Sequence, residues 1–208
     1  MFISTLFSDP RAFATITLIV IFSICLHEYM HAWVALKMGD PTAALHGHLT
    51  MNPFKQMGLM SLIMLALIGI AWGQVPVNPD NLPTRKKRIA VALAGVCANI
   101  FLAICFTVLI ALLICFASQH EFAIQMLLRG AVINLLLFFI NIMPLPGLDG
   151  FNILREFLHI NSQKSKEIAN VVFFILMMLL IFSIDDIVRF SGNLIISFLK
   201  LILEGTLQ

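Results

Sequence analysis

The sequence predicts an all-α polytopic membrane protein, with about four firm transmembrane helices, one or two short re-entrant or interfacial segments and a small membrane-associated β-strand element. Three observations predict it. Of the 208 residues, 60% are hydrophobic and the mean hydropathy is +0.99, a composition of the integral membrane class. Apolar runs of about 20 residues, long enough to cross a bilayer, recur at Phe13–Met38, Ile89–Phe116, Phe122–Ile140 and Ile168–Ile184. The basic residues gather at the ends of those runs and the net charge is only +2, which marks topology signals and argues against a nucleic-acid partner. The expected organisation is one integral membrane domain over residues 1–208, with a core at 12–184 and a C-terminal amphipathic or short membrane helix at 190–208.

The first run carries the chain's most informative pentapeptide, His27-Glu28-Tyr29-Met30-His31. Residues four apart share one face of a helix, so both imidazoles can reach one metal ion, with the Glu28 carboxylate beside any water on it. A zinc hydrolase needs those groups: neutral imidazole ligands, a water made acidic by the metal and a carboxylate general base. An ionisable group at the centre of a transmembrane helix costs roughly 2.5–3.5 kcal/mol on insertion scales, so three of them mark a functional interior and not a chance pattern. No basic region or small-residue cleavage site precedes them, so the first span is expected to be retained. Cys25, Cys97, Cys105 and Cys115 lack thiolate-site spacing and read as core or lipid-facing residues.

Between residues 45 and 52, Leu45, Gly47, Leu49 and Met51 alternate with His46, His48, Thr50 and Asn52, a period of two that predicts a strand. Unpaired backbone at Gly47, His48, Leu49 and Thr50 could pair with an extended substrate segment, and a surface hairpin accounts for the pattern equally well. Leu59–Trp72 and Leu194–Leu203 are too short for ordinary spans. Arg85-Lys86-Lys87-Arg88 places the start of the next span on the cytoplasmic side, and the segment after Asn141 returns there, in agreement with Arg155, Lys164 and Lys166.

Pro144 and Pro146 break the returning helix just before Asp149-Gly150. Irregular backbone at membrane depth is tolerated where protein or a water-filled cavity satisfies it. Read alone, this stretch is a turn; read with two histidines awaiting a third ligand, Asp149 is the best candidate. His27 lies about 15 Å before Lys37 and about 24 Å after Arg11 at helical rise. For Asp149 to meet it, the Lys37 end must be cytoplasmic, which makes Leu59–Trp72 a re-entrant hairpin.

Taken in order, His27-Glu-x-x-His-Ala, Gly39-Asp-Pro-Thr-Ala, Gly47-x-Leu-Thr-x-Asn-Pro, Pro76-Val-Asn-Pro, Ala92-Leu-Ala-Gly95-x-x-x-Asn99 and Asn141-x-x-Pro-x-Pro-x-x-Asp149-Gly150 resemble the site-2 protease family of intramembrane zinc metalloproteases, in its short bacterial form without a PDZ domain. The resemblance covers roughly residues 15–185. It implies one Zn2+ held by His27, His31 and Asp149, Glu28 as catalytic acid and base, Asn141 orienting substrate or oxyanion, and Asn99 near the site. It further implies hydrolysis of peptide bonds within or near substrate transmembrane segments, in the cell (inner) membrane, after an upstream site-1 type protease has trimmed the substrate. The chain departs from the family at Gly47-His48, where Gly-Arg is common, and at Gly95-Val96, where Gly-Pro is common. Two other classes share parts of this pattern. A catalytically inactive relative would keep the fold as a membrane binding protein, and a metal transporter would also bury His and Asp, although no second His-Glu segment occurs in the other half.

Overall fold

Asp9 and Gly39 bracket the helix that carries the polar pentapeptide. In the computed structural model, which describes residues 2–116, 120–158 and 184–203, α1 (Ser4–Ser8) leads directly into α2 (Pro10–Met38). The Asp9 carboxylate accepts the Ala12 N–H at 2.9 Å, and Pro10 at the first helical position gives up a donor that would have had no partner anyway. At the other end Gly39 takes φ 107°, left-handed backbone that suits glycine, and the Asp40 N–H returns to the Ala35 carbonyl at 2.8 Å. At 1.5 Å per residue α2 is about 44 Å long, more than a hydrocarbon core needs.

The chain divides into two compact units, Met1–Ala98 and Asn99–Gln208, with the division falling inside α6 (Arg85–Phe116). In the first unit, α2 presents large apolar side chains such as Leu18 and Phe22 outward and turns Ser23, His27, Glu28, His31 and the small Ala32 and Ala35 inward. That is the inverse of a water-soluble helix and the arrangement a lipid-facing helix with a functional interior requires. Two short helical turns follow, α3 (Thr42–Leu45) and α4 (Pro53–Gln56), both packed on α2. Next comes α5 (Gly58–Ile68), apolar but about 17 Å long and too short to cross. An irregular segment with one 3-10 turn at Pro79–Asn81 runs from α5 to α6. Ala35, Leu82 and Val91 form a small core that joins α2, this segment and α6.

In the second unit, α7 (Glu121–Ile142) lies close to the C-terminal half of α6. Gly130 meets the Phe106 ring where a Cβ would stand 3.0 Å from it, small-residue packing of the kind that lets membrane helices approach. Asn99 on α6 donates to Asn134 on α7 at 3.1 Å, both fully buried. Past α7 the prolines force a turn whose Gly150 backbone crowds the Ile142 and Met143 carbonyls, leaving no room for a side chain there. α8 (Asp149–Leu158) starts at that turn, and a further helix, α9, occupies 184–203.

α2, α6 and α7 are the described helices long and apolar enough to cross a membrane, so the chain is a helical membrane protein. The expected span at Ile168–Ile184 lies almost wholly outside the described residues, as do 204–208 of the expected C-terminal segment. The expected strand at 45–52 does not form, and no strand occurs among the described residues. Two local causes replace it. Leu45 closes the α3 turn and Gly47 takes φ 75°, which bends the chain. The buried Gln56 side-chain amide then donates to the His48 and Thr50 carbonyls at 2.7 and 2.6 Å, using acceptors a strand would have offered to a partner.

Candidate metal centre

His27 and His31 converge because they sit four residues apart on one buried face of α2. Their Nε2 atoms are 3.0 Å apart, with the rings edge to face and centroids at 4.6 Å. The outer nitrogen of His31 fixes the chemistry of the inner one. His31 Nδ1 lies 2.7 Å from the Val91 carbonyl, which can only accept, so Nδ1 carries the proton and Nε2 of the neutral ring is a bare lone pair. A backbone carbonyl behind a ligating histidine is the usual way to set its tautomer.

Gly95, one helical turn after Val91 on α6, faces the same point. A Cβ there would overlap His31 Nε2 and stand 2.6 Å from His27 Cε1, so the missing side chain leaves a cradle against both ring nitrogens. Two imidazole nitrogens converging on a cradle of that kind fit a divalent metal of the zinc type.

Glu28, also buried, is walled in from the other side by backbone. A Cβ on Gly73 would collide with Glu28 Cγ and Oε1 and lie 2.6 Å from Cδ. Ser61 Oγ accepts the Trp72 N–H at 2.9 Å and donates to the Trp72 carbonyl at 2.7 Å, while the Gln74 N–H donates to the Gln56 carbonyl at 2.9 Å. Residues on either side of Gly73 are thus bound to the body of the unit. No hydrogen bond among the described residues engages the backbone of Gly73 or Val75.

Asp40 pins the far end of this segment. Fully buried, it accepts from the Asn78 N–H at 2.7 Å, Asn81 Nδ2 at 2.8 Å and the Thr42 N–H at 3.1 Å, and from the Thr42 hydroxyl. Burial alone would raise its pKa; the hydrogen bonds outweigh that and hold it below the ordinary value.

Comparison with known proteins agrees with this geometry. The model of peptidase family M50 matches residues 15–116 and 115–182. The chain belongs to peptidase family M50. It is 35% identical over 159 residues to "Putative zinc metalloprotease YwhC" of Bacillus subtilis, covering 69% of this chain and 68% of that one. It is 31% identical over 184 residues to "Putative zinc metalloprotease Rip2" of Mycobacterium tuberculosis, covering 83% and 69%. No solved structure gives a significant match.

The site residues expected of an M50 chain distribute as follows. His27, Glu28 and His31 come together in the first unit with Val91 and Gly95. Asp149 opens α8 in the second unit, half-buried in its first turn. Asn141 turns its side-chain amide back to the Leu137 carbonyl of its own helix at 2.9 Å, and one amide N–H of Asn99 donates to Asn134. Gly47, His48, Leu49 and Thr50 form an irregular loop whose His48 and Thr50 carbonyls are engaged by Gln56.

Sequence reasoning missed Gly73, Gly95, Ser61 and Gln56 as shapers of the M50 site. Gly95 stood in a motif that was recognised, four residues before Asn99 and four after Val91, so its helical face was readable. Nothing local marked Gly73, whose partner lies 45 residues earlier in the chain.

Proposed function

We propose that the chain is a zinc-dependent intramembrane endopeptidase that hydrolyses peptide bonds within or near the transmembrane segments of membrane-protein substrates. One observation carries the reading: two ring nitrogens converge beside a buried carboxylate midway along a 29-residue apolar helix. Charge at that depth is costly, and a water-using reaction inside the bilayer is a function that requires it.

His27 and His31, with Asp149 as third ligand, would hold the zinc. Bound there, zinc supplies Lewis acidity, bringing the pKa of water toward neutrality and polarising a peptide carbonyl. Val91 keeps His31 in the tautomer that leaves Nε2 free to ligate. Glu28 takes the proton of the attacking water on a carboxylate oxygen and returns it to the leaving amine. Asn141, with its carbonyl oxygen and remaining amide hydrogen, orients substrate, and Asn99 supports it by holding α6 to α7.

A helical substrate hides its carbonyls in its own hydrogen bonds, so it must unwind before cleavage. The backbone of Gly73, beside Glu28, and of Val75 is unengaged among the described residues and offers main-chain partners to an unwound segment, the role the sequence pattern assigns to residues 47–50. The partners that fit this reading are a membrane protein cleaved at a transmembrane helix, trimmed first by a site-1 type protease, and the lipid of the cell membrane.

The test is cleavage of a transmembrane peptide in proteoliposomes by the natural chain and by Glu28→Gln. The expected result is cleavage inside the apolar stretch, lowered at least about a hundredfold in the variant while bound zinc is unchanged. Full cleavage by Glu28→Gln would overturn the mechanism.

A further inference from the structure

Resting on the protease reading, we propose that Gly73, with its clamps Ser61 and Gln56, is a positioning device that fixes the rotamer of Glu28. The backbone from Trp72 to Gln74 forms a rigid wall against which the catalytic side chain is pressed.

The wall is rigid because its two ends are tied by groups that have no alternative. Ser61 Oγ is fully buried on α5 and serves the Trp72 N–H and carbonyl together, so one hydroxyl closes both backbone groups of one residue. Gln56 is also buried, and it engages Gln74 through its own carbonyl while its side chain straps the 48–50 loop. Breaking either tie gives up hydrogen bonds that fix the backbone on each side of Gly73. Between the ties stands Gly73, whose φ is not in the left-handed region. Glycine is therefore required here for close approach and not for backbone conformation. The group that fills its Cβ position is the Glu28 side chain from Cγ to Oε1.

An added methyl at residue 73 meets the carboxylate end of a flexible side chain on one side and a tied backbone on the other. The flexible partner moves. Gly73→Ala should therefore leave the fold and the zinc in place and displace Glu28, and releasing the wall should let the methyl back away.

The experiment combines kinetics with a cycle that needs neither zinc nor activity. In proteoliposomes, Gly73→Ala should lower kcat about a hundredfold, the scale of a 1 Å misplacement, with KM within about twofold and zinc content unchanged. Adding Ser61→Ala should restore at least about tenfold of that loss. In zinc-depleted protein, Gly73→Ala should lower the unfolding temperature by about 3 °C when Glu28 is present and by nothing in a Glu28→Ala background. Unchanged kcat in Gly73→Ala, a double variant slower than the single one, or an equal temperature shift in both backgrounds would each overturn the proposal. Absence of cleavage by the natural chain together with a Glu28-dependent shift would refute the protease reading and uphold the wall.

Discussion

Substituting alanine for Gly95 tests the metal cradle where its geometry is tightest. The new Cβ would stand 2.6 Å from His27 Cε1 and overlap His31 Nε2. Carbon atoms pack at about 3.5–4.0 Å, so an imidazole must retreat by roughly 1 Å or α6 must shift. His31 cannot retreat freely, because its Nδ1–H is held by the Val91 carbonyl on α6, one turn from Gly95. Overpacking of this kind costs about 1–3 kcal/mol, and here the strain falls on the two nitrogens proposed to hold the zinc. At about 1.4 kcal/mol per tenfold, zinc affinity should drop roughly 5- to 150-fold. The assay is competition between detergent-purified protein and a chromophoric chelator at fixed pH, with helix content followed by circular dichroism to verify folding. Zinc affinity within twofold of the natural chain, in a folded Gly95→Ala protein, would refute the reasoning.

Other perturbations address the frame around the site. Asp40→Asn keeps one acceptor and sets an amide donor against the Asn78 N–H, now 2.7 Å from Oδ2, so the variant should lose about 1.5–3 kcal/mol of stability at neutral pH in chemical unfolding. Because the folded pKa of Asp40 lies below its unfolded value, its contribution is complete above that unfolded value and disappears as pH falls through the folded one. The natural chain should therefore lose its excess stability over Asp40→Asn in strong acid, and a difference constant with pH would contradict this assignment. Asn134→Ala removes one hydrogen bond of Asn99 and should cost about 0.6–2 kcal/mol, the range for interhelical hydrogen bonds in membranes, read by unfolding in mixed micelles.

Long-range apolar patterning made α2, α6 and α7 legible, since each run is about as long as the bilayer demands and the polar breaks between them are sharp. The helix ends lay a few residues outside the apolar runs because caps are local chemistry: Asp9 with Pro10 begins α2 three residues before Phe13. The convergence of His27 and His31 was legible for a related reason, as an i, i+4 spacing is intrinsic to one helix. The strand at 45–52 was misread because eight alternating residues are also compatible with a bent loop, and nothing in that stretch reveals that a glutamine further along will take its carbonyls. Residues 73–75, between the Leu59–Trp72 run and the Pro76-Val-Asn-Pro motif, drew no reading for the converse reason. They carry no periodic signal, and their placement comes from Ser61 and Gln56, which hold Trp72 and Gln74 only after folding. The hydrogen bond from Asn99 to Asn134 was not legible either, because it joins two helices through residues 35 apart in the sequence.

The central claim, a zinc centre completed by Asp149, is tested most directly by zinc content per chain. Elemental analysis of the detergent-purified natural chain and of Asp149→Ala, at matched concentration and after identical washing, decides it. The account predicts about one zinc per chain in the first and a small fraction of that in the second. Equal zinc in both would contradict it and place the third ligand elsewhere.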